Sequence, residues 1–81
     1  MRFRFHGDSS GVELHPGDYV LYTKVDGSRN YGIYLSHEIR SEKITTSVVL
    51  NILTGKGVEI IRTNMIFSCE VVSKGDENET G

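Results

Sequence analysis

The sequence predicts an all-β fold, built from five main strands with an additional strand at the N-terminus. Two observations carry this. Runs rich in aromatic and β-branched residues recur along the chain, and each is bounded by a glycine-containing turn: His15-Pro16-Gly17-Asp18, Asp26-Gly27 and Thr54-Gly55-Lys56-Gly57. No stretch carries the period of an amphipathic helix of useful length, and no internal repeat is found. With 81 residues the chain amounts to one domain, assigned to residues 1–73, followed by a tail over 74–81.

Each element has its own reason. Arg2-Phe3-Arg4-Phe5-His6 alternates, which puts Phe3 and Phe5 on one face of a short strand. Gly7-Asp8-Ser9-Ser10-Gly11 reads as a loop by composition. In His15-Pro16-Gly17-Asp18 the proline fixes φ and the glycine accepts a positive φ, so a tight turn is expected there. Tyr19 to Val25 reads as a strand, Asp26-Gly27-Ser28-Arg29-Asn30 as a hairpin connection, and Tyr31 to His37 as the returning strand. On that strand Tyr31, Ile33 and Leu35 share one face, and Gly32, Tyr34 and Ser36 share the other. The apolar set is expected to face the core, with Tyr22 and Tyr31 filling it and Tyr19 and Tyr34 exposed.

Ser36 to Lys43 is polar; one helical turn over Glu38–Lys43 would be too short to stand alone, and a loop is expected. Ile44 to Leu53 is the longest β-prone run, and Thr54-Gly55-Lys56-Gly57 turns it back into Val58 to Arg62. Thr63-Asn64-Met65 interrupts the alternation as a 3₁₀ turn before a last strand, Ile66 to Val72. Lys74 to Gly81 holds no large apolar residue and is expected to be a disordered acidic tail.

Composition narrows the function. Residues 1–69 carry eight of the nine basic and seven of the eleven acidic side chains, a net of +1, and residues 70–81 carry a net of −3. A nearly neutral body lacks the basic balance of a dedicated duplex-DNA binder. No apolar run approaches a membrane span, and Arg-Phe-Arg-Phe-His after Met1 does not read as a signal peptide, so a cytoplasmic location is expected. Cys69 stands alone in an apolar strand, which excludes an intrachain disulfide and points to a buried structural thiol. His6, His15, His37 and Cys69 match no zinc spacing, so no metal is expected. Ser9, Ser10 and His15 lie near one another in a glycine-rich segment, which is not a preorganised triad, and a domain of this size offers little concave volume. No catalytic residue and no cofactor are expected.

The stretch Gly17-Asp18-Tyr19-Val20-Leu21-Tyr22, through Asp26-Gly27 to Tyr31 and Leu35, resembles the opening hairpin of Tudor-type and KOW-type domains. The resemblance spans roughly residues 15–72 and implies a five-stranded SH3-like barrel. The chain departs from the Tudor pattern, which has tryptophan where Asn30 stands and arginine and alanine where Gly32 and Ile33 stand. An aromatic cage for a methylated cation needs several rings facing one point, whereas Tyr31 and Tyr34 fall on opposite faces.

These readings lead to a non-enzymatic protein-binding module, a monomer or a homodimer, with Tyr19, Arg29, Asn30, Tyr34 and Arg40 as the partner-binding surface. The strand Arg2 to His6 is a further expected contact, pairing with a partner's edge. In size and style the chain is similar to small phage proteins that bind and redirect a bacterial host factor, which implies an adaptor or inhibitor. KOW-like barrels give the alternative, a nucleic-acid or transcription-complex accessory that would use Lys24, Arg29 and Lys56.

Overall fold

The computed structural model describes residues 1–75. Seven strands form two antiparallel sheets, and no α-helix occurs among the described residues. A small sheet pairs β1 (Arg2–Phe5) with β2 (Asp8–Glu13). The main sheet holds β3 (Tyr19–Lys24), β4 (Arg29–Ser41), β5 (Thr46–Thr54), β6 (Gly57–Arg62) and β7 (Ile66–Ser73), in the order β6-β5-β4-β3-β7. The expected 3₁₀ turn is present at Thr63–Met65.

The turns form where their chemistry demands. Gly17 adopts φ +97°, the Asp18 amide donates to the His15 carbonyl, and Pro16 presets the turn. Asp18 enters β3 fully buried, with one carboxylate oxygen accepting the His15 amide at 2.9 Å and the other accepting the Gly75 amide at 2.9 Å. The chain's first residue is tied to the same region, because the Met1 ammonium donates to the Leu14 carbonyl at 3.0 Å and to Glu13 at 2.6 Å.

Two segments expected as loops are strands. Asp8–Glu13 pairs with β1, despite its serine- and glycine-rich composition, because Gly7 leaves the Phe67 ring the space a Cβ would take and Val12 lands opposite Phe3. Ser36–Ser41 extends β4 along Thr46–Asn51 of β5, where the apolar partners Val48 and Leu50 anchor a stretch whose own residues are mostly polar. An irregularity between Tyr34 and Ser36 separates the two halves of β4.

The core lies between the inner face of the main sheet and the β1–β2 hairpin, and joins Phe3, Phe5, Leu14, Val20, Tyr22, Tyr34, Leu50, Ile52, Ile61, Ile66 and Cys69. The expected alternation along β4 holds, but its inward face is the opposite one. Gly32 and Tyr34 are buried, whereas Tyr31, Ile33 and Leu35 are exposed. The cause is close packing over Gly32, where a Cβ would collide with Ile52 Cγ2 and lie 2.9 Å from the Leu53 carbonyl oxygen.

The main sheet does not close into a barrel. β6 and β7 are its two edges and do not pair with one another. The edges differ. β7 meets β3 through two irregularities, and its first residues receive the amides of His6 and Gly7 at the end of the β1–β2 hairpin. β1, the terminal strand expected to reach a partner, pairs with β2 on one side and with no strand on the other among the described residues. β6 meets β5 in unbroken register from Gly57 to Arg62, and no strand pairs with its other edge among the described residues. Across that open side the link to β3 runs through side chains: Glu59 accepts the Tyr22 hydroxyl with one oxygen and the Lys24 ammonium, at 2.6 Å, with the other. Of the tail expected over 74–81, residues 76–81 lie outside the described residues.

Candidate binding face

The outer face of the main sheet is not polar, as the solvent side of a half-buried sheet ordinarily is. Strand register sets Tyr19 of β3 opposite Ile33 of β4, Ile33 opposite Leu53 of β5, and Leu53 opposite Val58 of β6. This single cross-strand row spans four strands, and its members are exposed from 36% at Ile33 to 55% at Val58. Tyr31, two residues before Ile33, is 54% exposed and stacks on Tyr19 with ring centroids 5.6 Å apart and planes within 13°. Four apolar side chains in register and a stacked tyrosine pair make a contiguous patch, and such patches mark interaction sites.

One end of the patch opens into a depression of about 510 Å³ between the end of β3, the start of β4 and the β5–β6 turn. Tyr31 and Val58 belong to both the patch and its wall, joined by Lys24, Asn30, Lys56 and Glu59. Burial pushes the Glu59 carboxyl up, but the hydrogen bonds from Lys24 and Tyr22 outweigh it and hold the group below its ordinary range. Burial, reinforced by the bond to Glu59, raises the Tyr22 phenol, which stays protonated as the donor. The Asn30 side-chain nitrogen is buried and has no acceptor.

The residues expected to bind a partner separate accordingly. Tyr19 lies in the apolar row, exposed. Arg29 is exposed at the start of β4, opposite Thr23. Asn30 is half-buried and lines the depression. Arg40 is exposed at the far end of β4, 3.7 Å from Glu38, and is not part of this surface. Tyr34 is corrected: it is buried, packed edge-on against Phe3 at 5.9 Å, with its hydroxyl 3.2 Å from His37 Nδ1. It is inward because it shares a face with Gly32. By the same parity Tyr31 is corrected from the core to the surface.

Ile33, Leu53, Val58 and Tyr31 were not among the expected contacts. Gly32 was the available signal: a glycine within a strand marks a close approach on its own side, which assigns the core to Gly32 and Tyr34 and leaves Ile33 outside.

Among the described residues no three His, Cys, Asp or Glu side chains converge as metal ligands. Cys69 is buried, which pushes its thiol up to about 12 and keeps it protonated at neutral pH. No helix among the described residues is long and apolar enough to cross a membrane. Comparison with family models, curated proteins and solved structures finds no match to this chain.

Proposed function

We propose that the chain is a non-enzymatic protein-binding module of SH3-like architecture, whose partner docks on the outer sheet face. Support for the architecture comes from the strand order β6-β5-β4-β3-β7, a long β4 interrupted by an irregularity, and a 3₁₀ turn leading into the last strand. The observation that carries the function is the exposed row Tyr19–Ile33–Leu53–Val58 with Tyr31 stacked beside it. Rigid aromatic and aliphatic side chains held on a sheet lose little freedom on binding, which makes them effective anchors. The partner accordingly presents an apolar surface, with polar groups placed to meet Asn30, Lys56 and Arg29 at its rim.

The test is capture from bacterial lysate, the source that the likeness to phage host-factor binders points to, on native and variant protein in parallel. A specific partner is retained by the native chain and by Ile39→Asp, and is lost with Ile33→Asp or Leu53→Asp. Ile39 is a suitable control because it is 60% exposed on the same strand but belongs to its other face. Retention by the Leu53→Asp variant would place the contact elsewhere.

A second reading has one observation in its favour. The stacked Tyr19–Tyr31 pair offers a base-stacking platform beside Lys56. Lys24, however, is already neutralised by Glu59 at 2.6 Å. Titration with single-stranded RNA and DNA at two salt concentrations separates the readings: salt-dependent binding lost with Tyr31→Ala selects nucleic acid, and its absence selects protein.

A further inference from the structure

The open edge of β6 is the second feature of the molecule that lacks a partner, and it is distinct from the outer face. Three observations bear on what pairs with it. The first is its regularity: β6 keeps register with β5 at every position from Gly57 to Arg62, so alternate backbone N–H and C=O groups point away from β5 in an unbroken series. The second is how little protection it has. Natural edges are blunted by proline, bulges, inward charges or a covering segment. β6 carries no proline or irregularity, its one inward charge, Glu59, is paired with Lys24, and its outward-facing Val58 and Ile60 are 55% and 56% exposed. The third is the contrast with β7, which has two irregularities and is covered at its start by the β1–β2 hairpin. A groove of about 410 Å³ runs beside Glu59–Arg62, with Val25, Asp26 and Met65 on its far bank, so the edge is open to an incoming strand.

We infer that the occupant of this edge is β6 of a second copy, paired antiparallel about a two-fold axis at Glu59. Side chains directly opposite one another must share a face, and this centre sets Val58 opposite Ile60 of the second copy, twice. The axis would bring two carboxylates together, but each Glu59 is held by its own Lys24 and Tyr22, so two neutralised pairs meet rather than two bare charges. The assembly closes by itself. Of the two edge strands of the main sheet, β6 alone is in unbroken register, so a two-fold uses it once in each copy and leaves the irregular β7 at the outside. Two five-stranded sheets become one of ten strands, and the apolar row ending at Val58 continues into the second copy. A six-residue edge buries roughly 300–400 Å² on each copy, about half of a standard interface, so the dimer is weak and concentration-dependent.

The inference goes beyond the outer-face reading and is tested separately, by sedimentation from micromolar to millimolar concentration. A reversible monomer–dimer equilibrium with no larger species is expected. Ile60→Lys and Val58→Lys, both at exposed positions and so expected to fold as judged by circular dichroism, weaken the dimer by about tenfold or more, because each replaces both apolar Val58–Ile60 pairs and sets a charge on the edge. Leu53→Lys, which alters the outer row but not the edge, leaves it intact. Register is read by mixing Val58→Cys and Ile60→Cys chains under oxidising conditions; mixed disulfides form in preference to same-variant ones, and the buried Cys69 does not compete. A monomer at every concentration, a dimer unaffected by Ile60→Lys, or same-variant cross-linking in preference to mixed would each overturn the proposal.

Discussion

Gly32 decides which face of β4 is the core. Without a side chain it lets β5 approach until Ile52 and the Leu53 carbonyl occupy the space a Cβ would need. Gly32→Ala must push the strands apart or displace Ile52. The expected cost is about 1–3 kcal/mol, read as a lower denaturant midpoint with an unchanged slope. The same residue explains what was and was not legible in the sequence. Alternation along Tyr31–Leu35 follows from backbone geometry alone and was readable. Its phase was not, because three large apolar residues on one side looked more core-like than a glycine and a tyrosine on the other. The decision is made by Ile52 from the neighbouring strand, which a local pattern does not contain. Tyr34 illustrates the consequence: its ring completes the contact with Phe3, 31 residues away in sequence, and cannot serve at the surface.

Strands with β-branched content were readable as elements; strands held by their neighbours were not. Tyr19–Lys24, Thr46–Thr54, Gly57–Arg62 and Ile66–Ser73 all carry apolar residues at period two and lie close to where the sequence put them. Asp8–Glu13 and the second half of β4 are strands because β1 and β5 supply the pairing, and a polar composition hides that. The side-chain bridge over the open side of the sheet belongs to this scale too. Glu59 has its carboxyl held below the ordinary value of 4.5 once folded, so it binds its proton later than the unfolded chain does. Its contribution to stability is therefore complete above the unfolded value and is lost as pH falls through the folded one. Native protein is expected to lose melting temperature as pH drops below about 4.5, and Glu59→Gln to start lower at neutral pH and decline less. Asp8, Glu13 and Asp26 are also held low, so the difference between native and variant curves, rather than either curve alone, isolates the bridge.

For the molecule as a whole, the sheet that does not close leaves two distinct surfaces, an apolar face and an edge that pairs with no strand among the described residues, while the core is confined to the other side of the sheet. The sequence showed the hairpins that build this sheet, but not its openness, which depends on how far the sheet curls before β6 comes opposite β3. What keeps the other end together is Asp18, buried and accepting amides from His15 and Gly75. Asp18→Ala leaves both donors without their acceptor, with an expected loss of about 2–4 kcal/mol. Faster hydrogen exchange at the His15 and Gly75 amides would show that the loss arises there, and Asp18→Asn, which retains an acceptor oxygen, is expected to lose less.

That carboxylate has one more consequence. The Met1 ammonium rests on Glu13 and Leu14, and Gly75 is fastened to Asp18, so both ends of the described chain converge on the same short segment around Pro16. Order along the polypeptide is thus a weaker property of this molecule than order across its sheet. A short linker joining the ends, with the chain reopened between Gly55 and Lys56, would trace the same seven strands in a new sequence, and would put the new termini beside the β6 edge instead of the proline turn.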